Sequence, residues 1–287
     1  MKKLSVVIPC YERDAYLEKA INSCLQSCPD IEVIILDNAS KNNGIKMIAK
    51  KYNNNQVSYI RNDSNIGLFG NWNKAFEVAN SEYVYILGDD DYIDPDFIQE
   101  FYRIEKEYDI DIFFSDFKFI DENDIILNKP SFKAPKGYIS KNQAIDYMSK
   151  NGFGVPTISM IYKKNLFSTL GFDTENFGSN DWEYFYLGMP WKNAFSSAEK
   201  LVYYRNHSQG ASKAYSSICN ISMHYIYEHS GSGPLSHYYY KRAVKSWHKI
   251  DNTHINNKYV KFMKESANLN FKNLSTYYYY KLRYIFR

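Results

Sequence analysis

The stretch of sequence that decides the fold is residues 83–91, YVYILGDDD. Its first five residues are apolar or aromatic, which predicts a buried strand, and its last three place carboxylates where that strand ends. Three carboxylates this close repel one another unless a cation lies between them. Because Mg²⁺ and Mn²⁺ prefer carboxylate oxygens and commonly bind together with phosphate groups, the stretch predicts a divalent-metal site for a phosphorylated ligand. Taken alone, it also fits a solvated acidic turn.

Outward from this stretch, short apolar runs alternate with helical patterns. Strands are predicted at residues 4–9, 31–37, 57–61 and 83–87, and the segments between them have the apolar spacing of helices. The alternation predicts an α/β fold with a mostly parallel sheet flanked by helices. Ligands bind such sheets beyond the carboxyl ends of the strands, so Asp37 and the acidic triplet are expected to face one crevice.

The composition of the chain argues against several classes of function. The 287 residues carry a net charge of only +3, which is not the charge of a dedicated nucleic-acid-binding protein. No apolar run approaches the roughly 18 residues of a membrane span. No glycine-rich phosphate loop follows the first strand, which argues against dinucleotide redox chemistry and nucleotidyl transfer. The four cysteines lack paired spacing, so we expect a soluble cytoplasmic protein with reduced core thiols.

Two further motifs follow the first two predicted strands. After the first, the segment with Pro9, Tyr11 and Arg13 has the strand-then-loop form of a nucleotide pocket, in which the tyrosine can stack on a base and the arginine can contact a phosphate. After the second, Asp37 can accept a hydrogen bond from a base N–H or a ribose hydroxyl. An Asx-turn or a helix cap is the alternative for Asp37.

Together these motifs resemble the inverting family 2 glycosyltransferases of the GT-A fold. The resemblance covers roughly residues 3–212 and rests on the order and spacing of several motifs: P-x-Y-x-R at 9–13, D-N-A-S at 37–40, N-x-G at 65–67 with Asn73, and G-D-D-D at 88–91 with Pro95. It implies a GT-A, Rossmann-like catalytic domain. It also implies an enzyme that uses Mn²⁺ or Mg²⁺ to transfer a sugar from a nucleotide-diphosphate donor to an acceptor hydroxyl.

The resemblance implies donor-binding and metal-binding roles for particular residues. The acidic triplet occupies the family's D-x-D region, but Gly88 stands where the usual first aspartate would be. The segment at 204–207 matches a Y-R-x-H motif whose histidine lies near the metal or diphosphate, although a purely structural histidine is the alternative. The metal ligands implied are Asp90, Asp91 and His207. The donor-binding residues implied are Pro9, Tyr11, Glu12, Arg13, Asp37, Arg61, Asn65, Gly67, Asn73, Asp89 and Asp90, with Asp89 nearer the ribose.

The catalytic base is implied by residues 180–183, NDWE, which fall where the family carries an acidic pair at a helix start. Asp181 is the implied base and Glu183 the second choice, since a helix N-terminus favours the ionised carboxylate that a base requires. Two positions depart from the family pattern. Asn180 replaces a frequent glutamate, and Trp72 replaces an arginine whose positive charge Arg61 is expected to supply.

The amino-acid composition changes near residue 208, where strand patterns stop and Tyr, Lys, His and Asn become the dominant residues. We expect a catalytic domain at 1–212, with a donor half at 1–110 and an acceptor half at 111–212, followed by a helical extension at 213–287. The aromatic and basic end of that extension suits an anionic membrane surface, so peripheral attachment at the cytoplasmic face is one hypothesis; a helix packed on the catalytic domain is the other.

The resemblance extends to the partners of the enzyme. The G-D-D-D form is similar to a subgroup associated with O-antigen and capsule assembly, which implies a glycan or polyprenyl-linked oligosaccharide as the acceptor.

A lid over the site is predicted at residues 152–154, because this segment contains two glycines. The alternative from another class of protein is a nucleotide-sugar binding module that has lost turnover.

Overall fold

The structure is a computed structural model that describes residues 2–52, 56–130, 135–151, 156–167, 171–176, 178–208, 210, 216–230, 236–247 and 257–269. Its contacts divide the chain into two compact units. The first unit comprises residues 1–148, 153–172 and 189–207. The second comprises residues 149–152, 173–188 and 208–287. The acidic segment at 180–183, which lies in the predicted acceptor half, therefore groups with the C-terminal helices.

The first unit is built on one mixed sheet of nine strands. In chain order they are β1 (Leu4–Cys10), β2 (Glu32–Asp37), β3 (Val57–Arg61), β4 (Tyr83–Ile86), β5 (Tyr92–Ile93), β6 (Ile112–Ile120), β7 (Gly137–Ser140), β8 (Met160–Lys163) and β9 (Asn193–Arg205). The spatial order is β3-β2-β1-β4-β8-β6-β9-β5, and β7 pairs with β9. The first four strands are parallel to one another, while β8 pairs antiparallel with both β4 and β6.

Three helices connect the four parallel strands of this unit, and two more follow later in the chain. They are α1 (Leu17–Ser27), α2 (Gly44–Lys51), α3 (Gly67–Val78), α4 (Phe97–Glu107) and α5 (Lys141–Asn151). In α1 the buried residues follow helical spacing at Leu17, Ala20, Ile21 and Cys24, as the sequence pattern predicts. The α/β class with a mostly parallel sheet flanked by helices is thus confirmed.

Strand β4 shows why residues 83–91 determine the architecture. All four of its residues are buried, including two tyrosines, because each hydroxyl finds a backbone acceptor inside the core. The hydroxyl of Tyr83 donates to the carbonyl oxygen of Ile110 at 3.0 Å, and that of Tyr85 donates to Ile158 at 2.6 Å. The strand is therefore fixed on both faces, and the carboxylates that follow it emerge at one defined edge.

The described residues of the second unit form helices joined by irregular segments. It contains the acidic helix α6 (Asn180–Glu183), which continues as one π-helical turn (Tyr184–Gly188), and then α7 (Ser216–His229), α8 (Ser236–Trp247) and α9 (Lys258–Leu269). The last three share a small core that includes Ile221, Ala243 and Tyr259. The predicted aromatic and basic C-terminal end lies outside the described residues. Among the helices that the structure describes, none has both the length and the apolar character to cross a membrane.

Candidate functional site

The parallel strands bring three loops to one edge of the sheet. Cys10 at the end of β1 is in register with Asp37 at the end of β2, and Val7 is in register with Ile86 of β4. The backbone continues this pairing beyond the strands, since Asn38 N–H donates to the carbonyl of Cys10 at 2.9 Å. The segments that carry Arg13, Asp37 and the acidic triplet therefore meet at this edge.

Asp89, Asp90 and Asp91 form the centre of this edge and are called the carboxylate cluster below. Asp89 and Asp91 are almost completely buried, whereas Asp90 retains some exposure. The guanidinium of Arg13 bridges two members: Nη2 donates to Asp89, and Nη1 lies 2.8 Å from Asp90 Oδ2. Arg13 thus reaches the carboxylates by a charge-assisted contact that offsets part of their mutual repulsion.

The three carboxyl groups differ in how firmly they hold a negative charge. Burial, together with the neighbouring charge of Asp90, raises the pKa of Asp89 to about 7. Burial, again with Asp90 as its neighbour, raises the pKa of Asp91 well above its usual range. Burial opposes ionisation of Asp90 too, but the hydrogen bond from His207 and the charge of Arg13 outweigh it and lower the pKa of Asp90. Asp90 is the member of the cluster best stabilised as a carboxylate.

The end of β9 supplies the other contacts of the cluster. His207 Nε2 lies 2.9 Å from Asp90 Oδ2, and its role near a metal stays a prediction. The backbone N–H of Arg205 donates to Asp91 Oδ1 at 2.7 Å, and its side-chain Nε donates to the carbonyl of Asp90 at 2.7 Å. Asp91 is therefore bonded to the sheet, and its role as a metal ligand stays a prediction.

Arg205 is a residue of the site that the sequence analysis missed. Its side chain is fully buried, it donates to the carbonyl of Asp121 at 2.7 Å, and it forms an ion pair with Asp124. The guanidinium also lies 4.0 Å above the ring of Tyr16. The signal was present in the Y-R-x-H motif, from which only the histidine was given a role.

The donor set fits a hard or borderline divalent cation. A carboxylate oxygen of Asp90 and an imidazole nitrogen of His207 converge on one point. The oxygen suits Mn²⁺ or Mg²⁺, and the nitrogen favours the softer of the two, Mn²⁺, with further ligands from a bound phosphate. Within the part of the chain that is described, no cluster of three or more His, Cys, Asp or Glu side chains forms a complete metal site.

Asp37 is bonded within its own loop, in line with the local structural role that the sequence left open as an alternative. Its Oδ1 accepts the backbone N–H of Ser40 at 2.9 Å, and its Oδ2 accepts the hydroxyl of Tyr59 at 2.7 Å. Arg61 lies beside it, with Nε 3.6 Å from Asp37 and Nη2 donating to the carbonyl of Ser40 at 3.1 Å. Burial, helped by the bond to Asp37, raises the pKa of Tyr59, which the sequence analysis had not placed in the site.

Glu12 joins the loop after β1 to the loop after β2. Its backbone is left-handed, with φ of 58°, and its carboxylate accepts the backbone N–H of Lys41 and the side-chain amide of Asn42, both at 2.8 Å. Tyr11 next to it is 40% exposed, which leaves the ring accessible, while Pro9 is half-buried within β1. Glu12 therefore shapes this edge through loop geometry.

A network of amide side chains connects the D-N-A-S and N-x-G motifs. Asn38 Nδ2 donates to Asn65 Oδ1 at 2.9 Å, and Asn62 Nδ2 donates to Asn38 Oδ1 at 3.0 Å and to Asn71 Oδ1 at 2.9 Å. Gly67 begins α3 with φ of 78°, a conformation that favours glycine. Asn65 and Gly67 thus have structural roles at this edge, and direct donor contact by them stays a prediction.

Asn73 lies further along α3 and is bonded to a different segment. Its Nδ2 donates to the carbonyl of Phe172 at 2.9 Å, and its Oδ1 accepts the N–H of the same residue at 2.8 Å. Trp72, the departure from the family pattern, packs edge-on against Phe69 and Phe172. These contacts tie Asn73 to the segment of Phe172, and its role in donor binding stays a prediction.

A cavity of about 690 Å³ lies at the opposite edge of the sheet. Its lining includes Asn73 and Phe76 of α3 together with Lys163, which pairs with Tyr83 at the start of β4. The cavity is therefore at the end of β4 away from the carboxylate cluster. The predicted lid at 152–154 lies outside the described residues.

In the second unit, the acidic helix α6 carries two carboxylates, and Glu183 is bound by side chains of α9. Asp181 and Glu183 are both half-buried. Lys258 Nζ lies 2.9 Å from the carboxylate of Glu183, and the hydroxyl of Tyr259 also donates to it. The Glu183 carboxylate is therefore bound to α9 by an ion pair and a hydrogen bond.

Solved structures with the same architecture identify the fold. S. aureus TarS in complex with UDP-GlcNAc aligns over 96% of this chain and 78% of its own, with a TM-score of 0.63 and 16% identity. A mannosyltransferase of Pyrobaculum calidifontis in complex with GDP-Man and Mn²⁺ aligns over 95% of this chain and 77% of its own, with a TM-score of 0.58 and 12% identity. The fold is that of the GT-A transferases.

The sequence matches the model of glycosyl transferase family 2 over residues 5–169, more than half of the 287-residue chain. The chain therefore belongs to glycosyl transferase family 2, which confirms the family that the motifs indicated. An uncharacterised glycosyltransferase of Methanocaldococcus jannaschii is 31% identical over 192 residues, which are 63% of this chain and 62% of that protein.

Two further relatives are similar over shorter or more divergent stretches. The glycosyltransferase GlyG of Streptococcus pneumoniae is 27% identical over 59% of both chains. A hyaluronan synthase of Pasteurella multocida is 33% identical over 97 residues, which are 33% of this chain and 10% of that protein. The chain spans less than two thirds of the length of these relatives.

Proposed function

We propose that the protein is an inverting glycosyltransferase that moves a sugar from a nucleotide-diphosphate donor to a hydroxyl group of a glycan. The observation that carries this proposal is the position of Asp90, a carboxylate held between Arg13 and His207 at the carboxyl end of β4. Charged groups of both signs at a strand end suit a metal-bound diphosphate. The neighbours with UDP-GlcNAc and with GDP-Man and Mn²⁺ have the same fold and support a nucleotide-sugar donor.

The donor phosphates would be bound jointly by a metal and by Arg13. Asp90 and His207 would hold Mn²⁺ or Mg²⁺, and Asp91 is the third residue assigned to the metal. A bound ion would neutralise the charge that develops on the leaving diphosphate. Arg13, which is one-third exposed, can turn one N–H group to a phosphate oxygen while it stays close to Asp89.

The nucleoside would bind along the ends of β1, β2 and β3. Tyr11 offers an exposed ring for base stacking, and the remaining lone pairs of Asp37 can accept from the base or the ribose. Asp89 is proposed to bind the ribose, and Arg61 supplies positive charge next to Asp37. Pro9, Glu12, Asn65, Gly67 and Asn73 complete the proposed donor-binding set by shaping its loops.

Asp181 is proposed as the catalytic base. It would remove the proton from the acceptor hydroxyl, whose oxygen then attacks the anomeric carbon on the face opposite the leaving nucleoside diphosphate and inverts its configuration. Asp181 is preferred to Glu183 because the resemblance places the family's base at the aspartate of this helix start, whereas the contacts of Glu183 with α9 suit an anchoring role.

The acceptor is proposed to be a glycan or a polyprenyl-linked oligosaccharide of a bacterial cell-surface polysaccharide, such as an O-antigen or a capsule. The support is the similarity of part of the chain to a hyaluronan synthase, a protein named for polymer assembly. A cytoplasmic location, with peripheral attachment to the inner membrane, would bring the enzyme to such an acceptor. Deleting residues 275–287 should then weaken binding to anionic vesicles, and unchanged binding would contradict the attachment.

The donor site is tested by thermal unfolding with UDP, GDP, CDP and dTDP, each with and without Mn²⁺. We expect one nucleotide to raise Tm by several degrees in a metal-dependent way, because a ligand that binds only the folded state stabilises it. Asp90→Asn should lose this effect. The matched control is Asp109→Asn, since Asp109 is 90% exposed and lies away from the cluster. Stabilisation by none of the nucleotides would contradict the donor site.

A further inference from the structure

The residues around the proposed base are anchored by the first two residues of α9. Lys258 Nζ lies 2.8 Å from Asp173 Oδ2 and 2.9 Å from Glu183 Oε1, so one ammonium group joins two carboxylates. The backbone N–H of Lys258 donates to Asn176 Oδ1 at 2.8 Å. One residue of α9 therefore contacts both ends of the segment that contains Asp181.

Tyr259 adds a second anchor inside the core of the unit. Its side chain is fully buried, and its hydroxyl donates to the carboxylate of Glu183 and lies 3.1 Å from Asn180 Oδ1. Burial raises the pKa of Tyr259, and the neighbouring charge of Glu183 adds to the rise, so the hydroxyl stays a hydrogen-bond donor. The two residues it contacts flank Asp181 in the acidic helix.

The backbone before α6 fits closely against the same helices. A Cβ atom at Gly178 would lie 2.5 Å from Tyr259 Cε2 and 2.9 Å from Ser222 Cβ, which leaves no room for a larger residue. The N–H of Ser179 donates to Ser222 Oγ of α7 at 2.8 Å. The entry to α6 is thus fixed by direct packing on α7 and α9.

The nine residues of α6 and the π-helical turn that follows it are too few to form a stable helix alone, because isolated helices shorter than about 12–15 residues are marginal in water. The conformation of α6 must therefore come from the contacts of its neighbours. We propose that Lys258 and Tyr259 are positioning residues that hold Asp181 in its catalytic orientation, with Glu183 as the anchor that they bind. This inference rests on the proposed function, in which Asp181 is the base, and it makes the C-terminal helices part of the catalytic apparatus.

The first test measures order in the segment directly, with no substrate present. Hydrogen exchange is compared in the full-length wild type, Lys258→Met and Tyr259→Phe. We expect faster exchange in peptides that cover residues 173–188 and unchanged exchange in peptides that cover residues 83–93. The matched control is Lys261→Met, since Lys261 is an exposed lysine on the same helix. Unchanged exchange at 173–188 in both variants would overturn the proposal.

The second test asks whether the two residues act through the base. Nucleotide release from UDP-GlcNAc and from GDP-mannose, with Mn²⁺ and with water as the acceptor, is measured for the same variants, for Lys258→Arg and for Asp181→Asn. We expect Lys258→Met and Tyr259→Phe to lower kcat about 10- to 100-fold with an unchanged donor KM, because a small displacement of a reacting group has effects of this size. Lys258→Arg, which keeps the charge, should recover part of the loss.

A double-variant cycle separates this inference from the proposed function. If Tyr259 acts through Asp181, the combined Asp181→Asn and Tyr259→Phe variant should be no slower than Asp181→Asn alone. Independent, multiplying losses would overturn the positioning role. A normal kcat in Asp181→Asn would instead contradict the base assignment and with it the proposed function. A large loss in Asp181→Asn alone, with normal kcat in the α9 variants, would refute only the inference.

Discussion

The carboxylate cluster of the first unit and the acidic helix of the second hold carboxylates by different means. In the cluster, the position of each carboxylate follows from the register of buried strands, and Arg13 and Arg205 then adjust its charge. In the acidic helix, four residues take their conformation from side chains of α9 that lie 75 or more residues later in the sequence. The first arrangement is a consequence of the fold, whereas the second depends on a few specific hydrogen bonds.

The largest effect on stability is expected where the first arrangement is broken at Arg205. Arg205→Met removes a buried guanidinium and leaves the carbonyls of Asp90 and Asp121 without their donor. We expect the free energy of unfolding to fall by about 3–5 kcal/mol, because two hydrogen bonds from a charged donor are lost. Guanidinium chloride unfolding measures this loss.

The control for that variant is Arg103→Met on α4. Arg103 is more than half exposed and pairs with Glu100 within the same helix, so its loss should cost less than about 1 kcal/mol. Equal losses in the two variants would show that Arg205 has no special role in holding the cluster.

The second unit should be the more sensitive of the two to mild acid, because of His224. Burial between Tyr240 and Phe262 lowers the pKa of His224 to about 4; Glu228 opposes the shift, and His229 adds to it. The unfolded chain binds this proton near pH 6.5, so the stabilisation is complete above that pH and declines as the pH falls toward 4. We expect a loss of about 2 kcal/mol between pH 7 and pH 5 from this residue.

The measurement is urea unfolding at the two pH values in wild type and His224→Phe, which keeps an aromatic ring and removes the titration. The difference between the two proteins isolates the histidine from all other titrating groups. An identical pH dependence in both would contradict the prediction.

A smaller effect is expected at Asn73, where the structure and the family resemblance suggest different roles. Asn73→Ala removes two hydrogen bonds to the backbone of Phe172, so the free energy of unfolding should fall by about 1–2 kcal/mol. Chemical unfolding and donor titration of the same variant separate the two roles. Weaker donor binding at unchanged stability would favour the donor-binding role.

The carboxylate cluster and the acidic helix also differ in how much of each could be predicted from the sequence. The first four strands, the mostly parallel sheet and the shared edge of Asp37 and Asp90 follow from local apolar patterns and from the rule that ligands bind at strand ends. The roles of Arg205 and Tyr259 could not be predicted in this way. Arg205 contacts backbone atoms 84 and 115 residues away, and Tyr259 contacts Glu183 76 residues away. Such pairings depend on tertiary packing and leave no periodic pattern in the chain.

Asn65 and Asp37 show a second reason why the roles of some site residues could not be predicted from the sequence. Their motifs were correctly located at the sheet edge, but each side chain is bonded to neighbouring loops, an arrangement that motif spacing does not distinguish from ligand binding. A short polar side chain at a strand end can serve either purpose.

In the proposed mechanism, Asp90 binds the donor together with a metal, and Asp181 activates the acceptor. This mechanism assigns the two carboxylates to different steps. It is tested most directly by calorimetric titration of the nucleotide sugar with Mn²⁺, together with turnover, in Asp90→Asn and Asp181→Asn. The mechanism predicts that Asp90→Asn loses metal-dependent donor binding. It also predicts that Asp181→Asn keeps donor affinity within about twofold, while kcat falls by about 10²–10⁴, the range typical of a lost general base. Equal loss of donor affinity in both variants, or normal turnover in Asp181→Asn, would contradict it.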